Sequence, residues 1–217
     1  MERFFILDKF NTWYDWRLIL TSKDVTPPEP KTNYIELDGM NGSLDLSEAL
    51  TGEVVYKDRT ITATFWTDYG YRKDRERLLQ DIRTALHGKK IKIIEPDDPE
   101  HYFCGRIVIK SQVNHLAYAE FTIEAVCDPW RYMLAETERT VELTDTVTSI
   151  VINNNGVKTL SPTITVDGLL NLIHNGTTTV LTSGSYKVSD LKLYQGANVI
   201  NLFGSGSVTF TYKEADL

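Results

Sequence analysis

The sequence predicts a mainly β protein in two parts: a β domain carrying one packed α-helix, followed by a smaller β-sandwich. Three observations lead there. Several runs alternate apolar and polar side chains, the period of a half-buried strand. One segment, about residues 73–87, carries an apolar stripe of helical period. Beyond Tyr132 the composition shifts: basic residues thin out, tryptophan disappears, and Thr, Asn, Val and Gly dominate. A chain of 217 residues suits one large or two modest domains, and the shift places the domains at residues 1–135 and 136–217.

The first third is punctuated more than patterned. Thr26-Pro27-Pro28-Glu29-Pro30 disfavours helix and central strand alike, because each proline removes a backbone donor, so it reads as an exposed, polyproline-like loop. Tyr34–Leu37 followed by Asp38-Gly39 reads as a short strand closing on a turn. From Thr60 to Trp66 the alternation is clean, with Ile61, Ala63 and Phe65 on one face and the threonines and Trp66 on the other.

In the helix, Leu78, Leu79, Ile82, Ala85 and Leu86 form the stripe, and Gly88 supplies the left-handed stop. Arg72, Lys73, Arg75 and Arg77 crowd its start, where the macrodipole disfavours cations. They read as a solvated face partnered by Asp74, Glu76 and Asp81, or as a subunit contact. Residues 90–95, 102–110 and 116–127 are three further strands, and Asp128-Pro129 is expected to end the last of them.

In the second part, short strands are expected to stop at Asn153–Gly156, at Asp167-Gly168 and at Asn175-Gly176. The last is a two-residue hairpin signal, since both turn positions must tolerate positive φ. Gly204-Ser205-Gly206-Ser207 reads as another turn and not as a phosphate cradle, because neither a helix nor a P-loop lysine follows. The regular spacing argues for a small sandwich.

Charge and motifs narrow the function. The formal net charge is −7, and the parts before and after Tyr132 are both acidic, so tight nucleic-acid binding is disfavoured while loose passage of DNA is not. The opening run Met1–Asp8 lacks the apolar core of a secretory signal, and no stretch is long and apolar enough to span a membrane, so synthesis in the cytoplasm is expected. The Asn-Gly sequences at Asn41 and Asn175 match the glycosylation sequon only incidentally.

Cys104 and Cys127 read as buried small hydrophobes. If the strands around them turn near Val113, the two lie roughly 16–20 Å apart, too far for a disulfide. His87, His101, His115 and His174 are scattered, and His101-x-x-Cys104 lacks the second pair of a zinc site. Asp97-Asp98-Pro99-Glu100 reads as a solvated hairpin turn more than a calcium loop or a glycosidase pair. Trp13, Trp16, Trp66 and Trp130 precede the boundary, and Tyr186, Tyr194, Phe203, Phe210 and Tyr212 beyond it mostly fall at core-like positions, which argues against a sugar groove there. No catalytic, cofactor-binding or metal-binding residues are assigned, and no cofactor is expected.

The order of parts resembles the distal tail proteins of siphophages. The resemblance rests on Tyr34-Ile-Glu-Leu-Asp-Gly-Met-Asn-Gly-Ser-Leu-Asp45, the strand Arg59–Trp66, the single helix and Cys127-Asp-Pro-Trp-Arg-Tyr132. Toward the end it continues through Gly184-Ser-Tyr-Lys-Val188, Asp190–Ile200 and Val208-Thr-Phe-Thr-Tyr212. It implies an N-terminal β-sandwich with one helix and a C-terminal galectin-like β-sandwich, assembled as a hexameric ring at the tail tip of the virion. Such a ring is a non-enzymatic hub joining the tail tube protein, the tape-measure protein and the tail-associated fibre or lysin protein, with DNA passing through its lumen. The alternatives are a carbohydrate-binding adhesion module, a tail-tube or tube-end subunit, and, with the least support, a wall-degrading enzyme.

Overall fold

A computed structural model describes residues 4–217; the first three residues of the Met1–Asp8 run lie outside the described residues. The chain forms two compact units, one up to Arg131 together with Leu217 and one from Tyr132 to Asp216. It is mainly β with one helix and curled antiparallel sheets, consistent with a β-sandwich fold.

In the first unit the strands are β1 (Ile6–Leu7), β2 (Phe10–Asn11), β3 (Ile19–Val25), β4 (Tyr34–Glu36), β5 (Ser43–Asp45) and β6 (Arg59–Thr67). Helix α1 (Arg72–Leu86) follows, then β7 (Lys90–Glu95), β8 (Asp98–Asn114) and β9 (Ala119–Met133). The main sheet runs β2-β1-β7-β8-β9-β6-β3. Alternation decides its buried face: Ile61, Ala63 and Phe65 of β6 and Phe121, Ile123, Ala125 and Cys127 of β9 meet Phe5, Leu7, Leu18 and Ile107. Phe65 stacks on Phe121 at 5.2 Å between ring centres. The helix adds Leu79, Ile82 and Leu86 to this core.

The helix start departs from the expected solvated cationic face at one residue. Arg75 is buried, and its guanidinium donates to the carbonyls of Gly70 (2.8 Å), His115 (3.2 Å) and Leu116 (2.8 Å) and to Asn114 Oδ1 (3.3 Å). It therefore ties α1 to the β8–β9 turn. Asn114 Nδ2 donates back to the Arg72 carbonyl and Gln112 Nε2 to that of Leu79. Asp74 accepts the Tyr71 N–H at 3.0 Å, closing the first turn.

β9 does not end at Asp128-Pro129 but continues to Met133. β6 stops at Arg59, opposite Cys127. Past that point β6 no longer flanks β9, so a residue with no N–H there interrupts no β6–β9 ladder.

The β8–β9 turn lies after Asn114, not at Val113. A β carbon on Gly105 would fall 2.3 Å from Cys127 Sγ, so Gly105 lies against Cys127 and Cys104 is only one residue away. The expected separation of 16–20 Å is therefore wrong, although both thiols are free. Neighbouring residues of a strand point to opposite faces, which separates Cys104 from the face that Gly105 shares with Cys127. Burial pushes the Cys127 thiol up to about 12.

The second unit comprises β10 (Thr137–Leu143), β11 (Thr148–Asn154), β12 (Thr163–His174), β13 (Thr177–Lys187), β14 (Gly196–Tyr212) and β15 (Ala215–Asp216). Its sheet runs β10-β14-β12-β13, with β11 continuing alongside β14 next to β10. Ile164, Val166, Leu170, Leu172, Ile200, Leu202, Val208 and Phe210 face inward, and Leu191 and Leu193 close the core from the segment between β13 and β14.

Asn175 (φ 48°) and Gly176 (φ 76°) form the tight turn between β12 and β13, as the sequence predicts. Two other expected turns are mid-strand instead. Asp167-Gly168 lies at an irregularity within β12, and Gly204–Ser207 lies within β14; Gly168 faces Gly206 and Leu170 faces Gly204. These glycines mark a bend in continuous strands, where two backbones approach closely. Of the five C-terminal aromatics, Phe210 and Tyr212 are buried, but Tyr194 and Phe203 are exposed.

Candidate functional site

Between Val25 and Arg59 the chain leaves the main sheet and returns as an arm. The pairing of β3 with β6 continues outward: Thr26 N–H donates to the Thr60 carbonyl (3.0 Å), Pro30 bridges Tyr56, and Lys31 N–H donates to the Val55 carbonyl (2.7 Å). Farther out β4 pairs with β5, and Leu37 to Met40 closes the tip. The Pro27-Pro28-Glu29-Pro30 segment is thus one rail of a two-stranded arm, not a free loop. Its prolines sit where the ladder is sparse. From Thr26 to Asp38 the reach is on the order of 40 Å if fully extended.

The arm has no core. Every residue from Lys31 to Asp45 is exposed, so both faces of the β4–β5 pair are open to water. It nevertheless carries Tyr34, Ile35, Leu37, Met40, Leu44, Leu50 and Val54, with Tyr34 58% and Leu50 100% exposed. A lone two-stranded hairpin is marginal in water, and contiguous exposed apolar side chains mark interaction surfaces.

The arm's charge is one-sided: residues 34–54 hold Glu36, Asp38, Asp45, Glu48 and Glu53 and no lysine or arginine. Donation from the Ser47 hydroxyl and amide holds Asp45 below the usual carboxylate range, and Lys57, 2.9 Å away, does the same for Glu29 nearer the base. Both shifts favour the ionised form.

The residues weighed for chemistry lie apart. His87 Nδ1 accepts from Ile109 N–H at the end of α1, His101 pairs with Asp98 (2.8 Å), His115 lies against the Tyr118 ring, and His174 ends β12. The acidic turn is paired rather than simply solvated. Lys23 bridges Glu95 and Asp97, while Asp98 takes both His101 and Arg131. Among the described residues no three His, Cys, Asp or Glu side chains converge as a metal-binding group. Sequence reading located the arm's proline base and its strand but missed its isolation, because Tyr34–Leu37 has the alternation of a strand packed on a core.

A helix-bearing curled sheet followed in the chain by a second curled β unit is an architecture that this chain shares with a solved phage hub protein. That protein is SPP1 Dit (gp 19.1), described as a paradigm of the hub adsorption apparatus in phages that infect Gram-positive bacteria. It matches this chain with a TM-score of 0.72 at 15% sequence identity, covering 97% of this chain and 98% of that one. At that identity the likeness is one of fold. No protein-family model matches the sequence, and no curated protein is significantly similar to it.

Proposed function

We propose that this chain is a structural subunit of a phage tail tip that assembles through its arm into a closed ring, six subunits around, with a lumen through which DNA passes. The observation that carries the assembly is the arm: an acidic two-stranded extension whose apolar side chains have no core in their own chain. In a head-to-tail ring each arm is covered by the next subunit, and such contacts close when the rotation between copies does. The likeness to SPP1 Dit over nearly the whole of both chains supports the tail-tip role. In this reading the C-terminal unit is a galectin-like spacer. The partners are the tail tube protein, the tape-measure protein and the fibre or lysin protein; the protein is made in the host cytoplasm and has no catalytic role.

Negative-stain imaging of the purified full chain tests this. Closed rings of uniform diameter support it. Open tubes of growing length would make the chain a tube subunit, and isolated particles at high concentration would remove the assembly reading.

A further inference from the structure

The second unit is acidic, with five basic residues, Arg139, Lys158, Lys187, Lys192 and Lys213, against eight Asp and Glu between Tyr132 and Leu217. Four of those five gather at one groove of about 520 Å³. Lys158, Lys187 and Lys213 line it, and Lys192 donates to Ser161 on its wall (2.8 Å). Glu136 is the one acid in the lining, 3.5 Å from Lys213, and Glu138 faces Thr211 from β10. Thr159, Ser161, Thr163 and Thr211 add four hydroxyl groups.

These groups are held by backbone geometry. Lys187 is in register with Thr163, and Thr163 with Thr211, so the three form a row across β13, β12 and β14. Lys213 lies two residues beyond Thr211, on the same side of the chain. The opposing wall, residues 158–161, is pinned by the reciprocal Leu160–Leu193 bonds (3.0 and 2.8 Å), by Lys158 N–H to the Ala215 carbonyl (3.1 Å), and by buried Asn154 Nδ2 to the Lys158 carbonyl (2.9 Å).

We propose that this groove is an oxyanion site that binds the phosphate of a phosphoester ligand lacking a nucleobase. Lys213 pairs with Glu136 and Lys158 donates to the Tyr132 hydroxyl (3.0 Å), yet three ammonium groups against one lining carboxylate leave the groove with an excess of positive charge, which favours an anion. Lysine point charges and hydroxyl donors approaching from several directions suit a tetrahedral phosphate better than a planar carboxylate. Neighbouring rings offer no stacking platform for a base: Tyr212 is 8% exposed with its hydroxyl bonded to the Asn153 carbonyl, and Tyr132 lies under the Lys158 ammonium, 4.6 Å from its ring centre.

The test titrates the full chain with inorganic phosphate and glycerol phosphate, followed by calorimetry and amide NMR. Saturable binding is expected, shifting residues 158–161, 163, 187 and 211–213 and weakening as salt rises. The Lys158→Gln, Lys187→Gln, Lys213→Gln variant is expected to bind about tenfold more weakly or worse. Exposed Lys187→Gln alone is expected to weaken binding measurably and covers the case in which the triple variant fails to fold.

Glycerol and acetate are expected not to bind, and an oligo-dT no better per phosphate than glycerol phosphate. The proposal is overturned by absent or lysine-independent phosphate binding, by acetate or a peptide of residues 34–54 binding better than phosphate, or by a marked preference for the oligonucleotide. None of these readouts depends on whether the chain forms rings.

Discussion

Gly206 sits opposite Gly168 in mid-strand, and a β carbon on it would fall 1.8 Å from the Asp167 carbonyl oxygen. Its φ of 95° adds strain for any L side chain. Gly206→Ala is therefore expected to destabilise the second unit by roughly 2–4 kcal/mol or to prevent its folding, read by chemical denaturation. A loss below about 0.5 kcal/mol would mean the two strands do not approach this closely there. The sequence flags these glycines but not their use, because a turn and a close mid-strand approach ask for the same residue.

Cys127 allows a second test at this scale. With its pKa raised from 9.0 to about 12, the thiolate fraction at pH 8 is on the order of 10⁻⁴, and the side chain is buried. A thiol reagent at pH 8 is expected to label Cys127 only on unfolding; rapid labelling of the native protein there would contradict the packing. The unfolded thiol ionises near 9 while the folded one stays protonated, so this contribution to stability is complete below pH 9 and is lost progressively toward pH 12.

Among the elements, α1 and the β8–β9 turn are joined chiefly through Arg75, whose guanidinium serves carbonyls of Gly70, His115 and Leu116. Arg75→Gln leaves some of those acceptors unsatisfied and is expected to cost roughly 2–4 kcal/mol, with faster proteolytic nicking around residues 114–118. Unchanged stability and cleavage would show that the contact is incidental. Helix α1 and strand β6 were legible in sequence because their stripes match one period each. Arg75 was not, since an arginine aimed inward has the same spacing as one aimed at water. Pro129 misled for a related reason: proline stops a ladder only where the neighbouring strand is still present, and β6 has already ended at Arg59.

The arm belongs to the same scale. Replacing residues 32–54 with a short Gly-Ser linker leaves the Thr26–Thr60 and Lys31–Val55 bonds at its base and removes no member of either hydrophobic core. The thermal transition is expected to stay within a few degrees of the intact chain while self-association is lost. A large drop in the transition temperature would show that the arm supports its own chain.

For the whole molecule, sequence alone supported the mainly β class and the acidic character of both parts, which periodicity and composition determine. Assembly was less legible because the signal is a mismatch between residue type and environment. Tyr34, Ile35, Leu37 and Leu44 have strand-like chemistry, and only the fold reveals that they belong to neither hydrophobic core of their own chain. In the proposed ring another copy covers them. Native mass spectrometry of the full chain beside the arm-replaced variant decides this: six subunits are expected for the first and one for the second. A monomeric full chain at high concentration, or a hexamer that survives loss of the arm, would contradict it.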